Sequence, residues 1–113
     1  MVNSMILLDE NGTLPVSAKF TAPADGSVMF VLSGTAWTAN APALVGITLL
    51  LDGEQIGKPA LCYANQNSDH MVLRTTYILY ENLTPGDHLL QIEPAYANTV
   101  TDVNDYYQVT ILY

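Results

Sequence analysis

Leu44-Val45-Gly46-Ile47-Thr48-Leu49-Leu50-Leu51 is the longest apolar run in the chain, and Asp52-Gly53 closes it. Asp and Gly tolerate the positive φ of a tight hairpin, and Glu54-Gln55-Ile56-Gly57 follow at once, so the chain turns back on itself here. The run therefore reads as the first arm of a central β-hairpin. Val45, Ile47, Leu49 and Leu51 make one face, while Leu50 joins Thr48 and Gly46 on the other. No cluster of His, Cys or carboxylates surrounds it. The hairpin decides architecture and supplies no chemistry.

Upstream, Ser27 to Ser33 reads as a strand with Val28, Phe30 and Leu32 on one face and Met29 and Val31 on the other. The turn Thr21-Ala22-Pro23-Ala24-Asp25-Gly26 precedes it. Before that turn, Thr13 to Phe20 is extended, with Leu14, Val16, Ala18 and Phe20 aligned and Pro15 at an edge or strand start. Ser4 to Leu8 reads as a short edge strand followed by the turn cluster Asp9-Glu10-Asn11-Gly12. Gly34 to Ala43, with Trp37, Asn40 and Pro42, reads as a loop.

Downstream, Ile56 to Ala64 is a strand and Asn65 to His70 a strongly polar loop. Met71 to Tyr80 reads as one continuous strand rich in β-branched and aromatic residues. In the next turn, Glu81 to Asp87, Pro85-Gly86 suits the centre of a type II turn. His88 to Glu93 points Leu90 and Ile92 inward. Ala95 to Asn104 is a polar loop, and Tyr106 to Tyr113 closes the chain with Tyr107, Val109, Ile111 and Tyr113 aligned. Helical periodicity never lasts more than a turn. Short strands separated by Gly and Pro turns predict an all-β, antiparallel two-sheet sandwich forming one domain over residues 1–113.

Hydrophobic residues make up 50% of the 113 residues and charged residues only 12%, against about 25% charged in a usual soluble domain. Several strands are apolar on both faces, although a two-sheet sandwich has one interior to fill. The expectation is a homo-oligomer packed through faces that carry Met29, Val31, Leu50, Tyr77 or the Tyr106-Tyr107 pair. Lys19, Lys58 and Arg74 stand against eleven carboxylates, for a net charge of −8, which repels phosphate backbones and anionic membranes, so no nucleic-acid partner is expected. Cys62 is alone, so no intramolecular disulfide forms, and an apolar strand predicts it buried and reduced. The amino-terminal residues lack a signal peptide's basic region, and no segment reaches the ~20 apolar residues of a membrane span. A soluble chain is expected, with export as part of a larger polypeptide or particle left open.

Three phrases matter together: Phe20-Thr21-Ala22-Pro23-Ala24-Asp25-Gly26-Ser27-Val28-Met29-Phe30, Leu51-Asp52-Gly53-Glu54-Gln55-Ile56-Gly57, and Leu83-Thr84-Pro85-Gly86-Asp87-His88-Leu89-Leu90-Gln91-Ile92. In that order, followed by the aromatic strand Tyr106 to Tyr113, the chain resembles the jelly-roll heads of the tumour-necrosis-factor and complement-globular-head superfamily, including bacterial and phage versions. The resemblance implies jelly-roll topology and a homotrimer used for structural display or binding. Carbohydrate-binding sandwiches use similar turns, so a monomeric carbohydrate-binding module is the alternative.

Trp37 with Asn40, and the loop carrying Asn65, Asn67, Asp69 and His70, form the candidate ligand site. An aromatic ring stacks on a pyranose while amides and carboxylates take its hydroxyls; the plainer reading is a partly buried Trp beside an ordinary polar loop. Asp102, Asn104 and Asp105 offer three oxygen-bearing side chains, a fragment of a calcium site or a solvated turn. His70 and His88 lie far apart, and no nucleophile elbow places Ser, His and Asp together, so no enzyme is expected. Asn11-Gly12-Thr13 and Asn82-Leu83-Thr84 match the glycosylation pattern, read as coincidental without a signal peptide.

Overall fold

The computed structural model describes residues 2–113. Among the described residues, alternating apolar residues make nine strands: β1 (Ser4–Asn11), β2 (Val16–Thr21), β3 (Gly26–Ala36), β4 (Ala43–Leu51), β5 (Glu54–Ala64), β6 (Met71–Val72), β7 (Thr76–Leu83), β8 (Asp87–Pro94) and β9 (Tyr106–Leu112). One sheet runs β1-β9-β3, with β7 and the two-residue β6 both pairing β3; the other runs β2-β8-β4-β5, and every pairing is antiparallel. Successive strands alternate between the sheets around the central hairpin, which is jelly-roll order. Asp52 and Gly53 take φ of 51° and 87°, the two positive values that a type I′ turn requires.

The core lies between the sheets on the faces that alternation marks. Val28, Phe30 and Leu32 of β3 meet Val45, Ile47 and Leu49 of β4, all fully buried, with Leu90, Ile92, Val109 and Ile111 beside them. Burying each such side chain stabilises the fold by roughly 1.5–3 kcal/mol, so a slip of one residue in β3 or β4 would cost several of these at once.

Four expectations are corrected. β1 continues to Asn11, because a register shift between Ile6 and Leu8 returns Leu8 to the core and lets Asp9, Glu10 and Asn11 pair with Gln108, Tyr107 and Tyr106. β3 extends to Ala36, and Trp37 bridges Val100, so only the remainder of the Gly34 to Ala43 segment is loop. Met71 to Tyr80 is two strands, since the chain leaves the ladder between Val72 and Thr76 and re-enters with Ile78 inward and Tyr77 and Leu79 outward. Tyr107 is 0% exposed and faces the core, where its hydroxyl donates to the Gly12 carbonyl at 2.6 Å, so it cannot form an intersubunit contact. Burial pushes its phenol up to about 12.

The outer faces differ. On the β2-β8-β4-β5 sheet, the segment between β8 and β9 folds over β4: Ala95 N–H donates to the Gly46 carbonyl at 2.8 Å, and Gly46 N–H donates to Thr99 Oγ1 at 3.1 Å. A Cβ on Gly46 would sit 2.7 Å from the Ala60 carbonyl oxygen and 3.0 Å from the Tyr96 ring, so only glycine lets this segment lie flat. The Tyr96 ring thus lies over the outer face of β4 at Gly46. Leu50, further along β4, is half-buried on this same sheet.

Candidate functional site at the loop end

At the Ala36 end of β3, the structure brings together residues that are scattered in sequence. Trp37, half-buried, exchanges two backbone hydrogen bonds with Val100, and its ring lies 5.8 Å from that of His70. Two bonds dock the Asn65 to His70 loop: Ser68 N–H donates to the Thr38 carbonyl at 2.8 Å, and Asn67 Oδ1 accepts from Ala41 N–H at 2.7 Å. Ser68 holds φ at 60°, a left-handed conformation costing about 1 kcal/mol for a non-glycine residue, which those two bonds hold in place. Asn67 is therefore a brace for the loop. Asn40, Asn65, Asn67, Asp69 and His70 are all exposed.

Beneath them lies Asp105, 0% exposed. Its Oδ1 accepts from Thr35 Oγ1 at 2.8 Å and faces His70 Nδ1 at 2.9 Å, while Oδ2 accepts from Asp102 N–H at 2.8 Å. Thr35 Oγ1 in turn accepts from Tyr106 N–H at 3.2 Å. His70 Nε2 lies 3.6 Å from Asp102 Oδ2. The hydrogen bond to Asp105 raises the His70 pKa, desolvation opposes it, and the charges of Asp105, Asp102 and Asp69 add to the rise. With a carboxylate facing each nitrogen, the ring is built to hold a proton rather than to take one from a nucleophile.

His70, Asp102 and Asp105 also place potential ligand atoms within 4.8 Å of one another. The fit to a cation is poor: a metal takes one imidazole nitrogen, whereas this ring turns opposite nitrogens towards different carboxylates. Asn104 backbone N–H donates to Asp102 Oδ1 at 2.8 Å in a local turn. The segment is a turn that brings Asp102 and Asp105 to His70.

Sequence reading missed Thr35 and Thr38, which anchor the site from β3 and the residues after it. It also missed Tyr63, an exposed aromatic beside Leu44 at this same end of the hairpin; its only signal is its place two residues before Asn65. A further group lies at the opposite end. His88 Nδ1 faces Asp52 Oδ2 at 2.6 Å, Nε2 faces the Thr84 carbonyl at 2.7 Å, and Phe20 stacks on the ring at 5.5 Å. An open cleft of about 270 Å³ there is lined by Lys19, Asp52, Asp87, His88 and Leu89. Its carboxylates are already engaged, Asp52 Oδ1 by Leu89 N–H and Asp87 Oδ1 by the Thr21 hydroxyl.

No family model matches the chain, and no curated protein matches it in sequence. Solved structures do match. A family 35 carbohydrate-binding module from Clostridium thermocellum superposes with a TM-score of 0.54 over 90% of this chain and 72% of its own, at 11% identity. The CBM36-1 domain of a multidomain xylanase from the hindgut metagenome of Trinervitermes trinervoides gives 0.53 over 98% of both chains, at 15% identity. The EclA C-terminal domain, a sugar-binding protein, gives 0.52 over 97% of this chain and 77% of its own, at 14% identity. The shared property is the jelly-roll sandwich of carbohydrate-binding modules.

Proposed function

We propose that this protein is a non-catalytic binding module that recognises glycans at its loop end. The observation that carries the reading is the convergence of Trp37, Asn40, Asn67 and His70 at one end of the sandwich, with the amides of Asn40 and Asn65 and the carboxylate of Asp69 exposed around them. A sugar needs an apolar ring to stack on and donors and acceptors for its hydroxyls, and loops on a rigid sandwich present both. The carbohydrate-binding character of the three similar structures supports the reading at the level of fold. A glycan array followed by calorimetry tests it. Asn65→Ala with Asp69→Ala, both exposed positions, should weaken binding by about thirtyfold without changing the melting temperature, since each lost hydrogen bond removes about 1 kcal/mol. Undiminished binding by that variant and by Trp37→Ala would remove the site assignment.

A second reading, an oligomeric structural or display module, is favoured by a different observation. Met29, Val31, Tyr77 and Tyr106 of the expected interface lie on one outer sheet face, where Tyr77 is 66% and Tyr106 46% exposed. The trimer expected from the tumour-necrosis-factor-like resemblance rests on that resemblance alone.

A further inference from the structure

We propose that the open cleft at the Lys19 end of the sandwich binds a small zwitterion, the ammonium and carboxylate groups of a free α-amino acid, independently of the loop end. Strand register builds the cleft. Lys19 of β2 pairs with Leu89 of β8, and Thr21 pairs with Asp87. On the far side of Leu89, the turn between β4 and β5 contributes Asp52, whose N–H donates to the Leu89 carbonyl at 2.9 Å while its Oδ1 accepts from Leu89 N–H at 2.9 Å. Half-buried Leu89 is thus the apolar floor, with Lys19 on one side, Asp52 on the other and Asp87 two positions earlier on the same strand. The volume of about 270 Å³ lies below the roughly 300–1,000 Å³ of a site for a drug-sized ligand, so the cleft suits one small molecule rather than an oligosaccharide.

The charges choose the ligand. Asp52 is matched by His88, whose nitrogens face Asp52 Oδ2 at 2.6 Å and the Thr84 carbonyl at 2.7 Å and so carry a proton each. Lys19 and Asp87 are left to be balanced. Asp87 is held through Oδ1 alone, by the Thr21 hydroxyl at 2.7 Å, and among the described residues Lys19 makes no ion pair. The two occupy diagonal register positions, about 7–8 Å apart across the ladder. A simple anion is drawn to Lys19 but repelled by Asp87 and by a chain of net charge −8, and a simple cation meets Lys19 as a like charge. A group carrying both signs satisfies both sides at once: its carboxylate accepts from Lys19 Nζ and its ammonium donates to Asp87 Oδ2, each in a charge-assisted hydrogen bond of about 2.8 Å. Closure of Lys19 directly onto Asp87 competes weakly, because an exposed ion pair contributes little. Both carboxylates are oriented in advance by their own hydrogen bonds, so little order is lost when the ligand arrives.

A nitrogen-proton correlation spectrum titrated with glycine tests this, with acetate, methylammonium and glycerol as separate controls and Lys19→Gln and Asp87→Asn as variants. Glycine should give saturable shifts at the Lys19, Asp87 and Leu89 amides with a dissociation constant on the order of millimolar. Each variant should weaken that binding by about tenfold or more while keeping its thermal melt, and each control should bind about tenfold or more weaker than glycine. Trp37 and His70 should not move with glycine, so the outcome leaves the glycan reading of the loop end untouched. Absence of saturable shifts with glycine would overturn the proposal. Affinity for acetate equal to that for glycine would make the cleft an anion site, equal affinity for methylammonium a cation site, and equal affinity for glycerol a polyol site; each of these results would overturn it, as would full affinity for glycine in either variant.

Discussion

His88 and His70 both gain a carboxylate partner on folding, and His88 is the more buried of the two. Both His88 ring nitrogens face acceptors, Asp52 and the Thr84 carbonyl, and only the imidazolium has a proton for each. Its pKa is raised by the hydrogen bond to Asp52 first and the bond to Thr84 second, with burial opposing; His70 is raised in the same sense by Asp105. A raised group stabilises fully below its unfolded value, about 6.5 for histidine, and loses that contribution as pH climbs through the folded value. Asp52 is lowered, mainly by its bond with His88, so its contribution is complete above its unfolded value, about 3.9, and fades as pH falls through the folded one. Stability should therefore peak in mildly acidic solution. Thermal melts should fall from about pH 5.5 towards pH 9, and His88→Gln should cost about 1–2 kcal/mol at the acidic end and flatten the slope; an unchanged slope would remove His88 as its source. Cys62, expected buried, is half-buried on β5 with its thiol pKa raised by desolvation. Native protein should react with thiol reagents far more slowly than unfolded chain, and equal rates would contradict that placement.

The β8–β9 segment joins the scales of residue and molecule, because it clamps one sheet and delivers Asp102 and Asp105 to the site. Gly46→Ala should cost about 1–3 kcal/mol by pushing against the Ala60 carbonyl and the Tyr96 ring. Hydrogen exchange should then quicken at Ala95 and Val100 before it quickens in β3; uniform quickening would mean the segment does not move as a unit. The inner faces of β3, β4, β8 and β9 were legible in the sequence because period-two alternation is unbroken there. β6 and β7 were not. Leu73 and Ile78 both face inward, five positions apart, and no strict alternation can report a chain that leaves the ladder between them. The Asp9 to Asn11 turn was misread for a related reason, since the register shift before Leu8 is set by pairing with β9 and has no local sign. Each candidate group at the loop end was visible as a polar cluster, but their meeting depends on tertiary register: His70 reaches Asp105 across 35 positions.

At the scale of the whole molecule, a sandwich 42 Å long keeps three surfaces apart: the loop end with Trp37 and His70, the opposite end with His88 and Lys19, and the bare sheet face with Val31 and Tyr77. The separation makes the two functional proposals independent, since glycan binding at one end leaves the sheet face free. Ligand recognition at the loop end, as proposed, is read residue by residue in a nitrogen-proton correlation spectrum titrated with the best array glycan. Saturable shifts should be confined to the Trp37 indole, Asn40 and residues 65–70, with Tyr77, Leu79 and His88 unmoved. Shifts centred on Tyr77 and Leu79, or on Lys19 and His88, with the Trp37 indole silent, would contradict it.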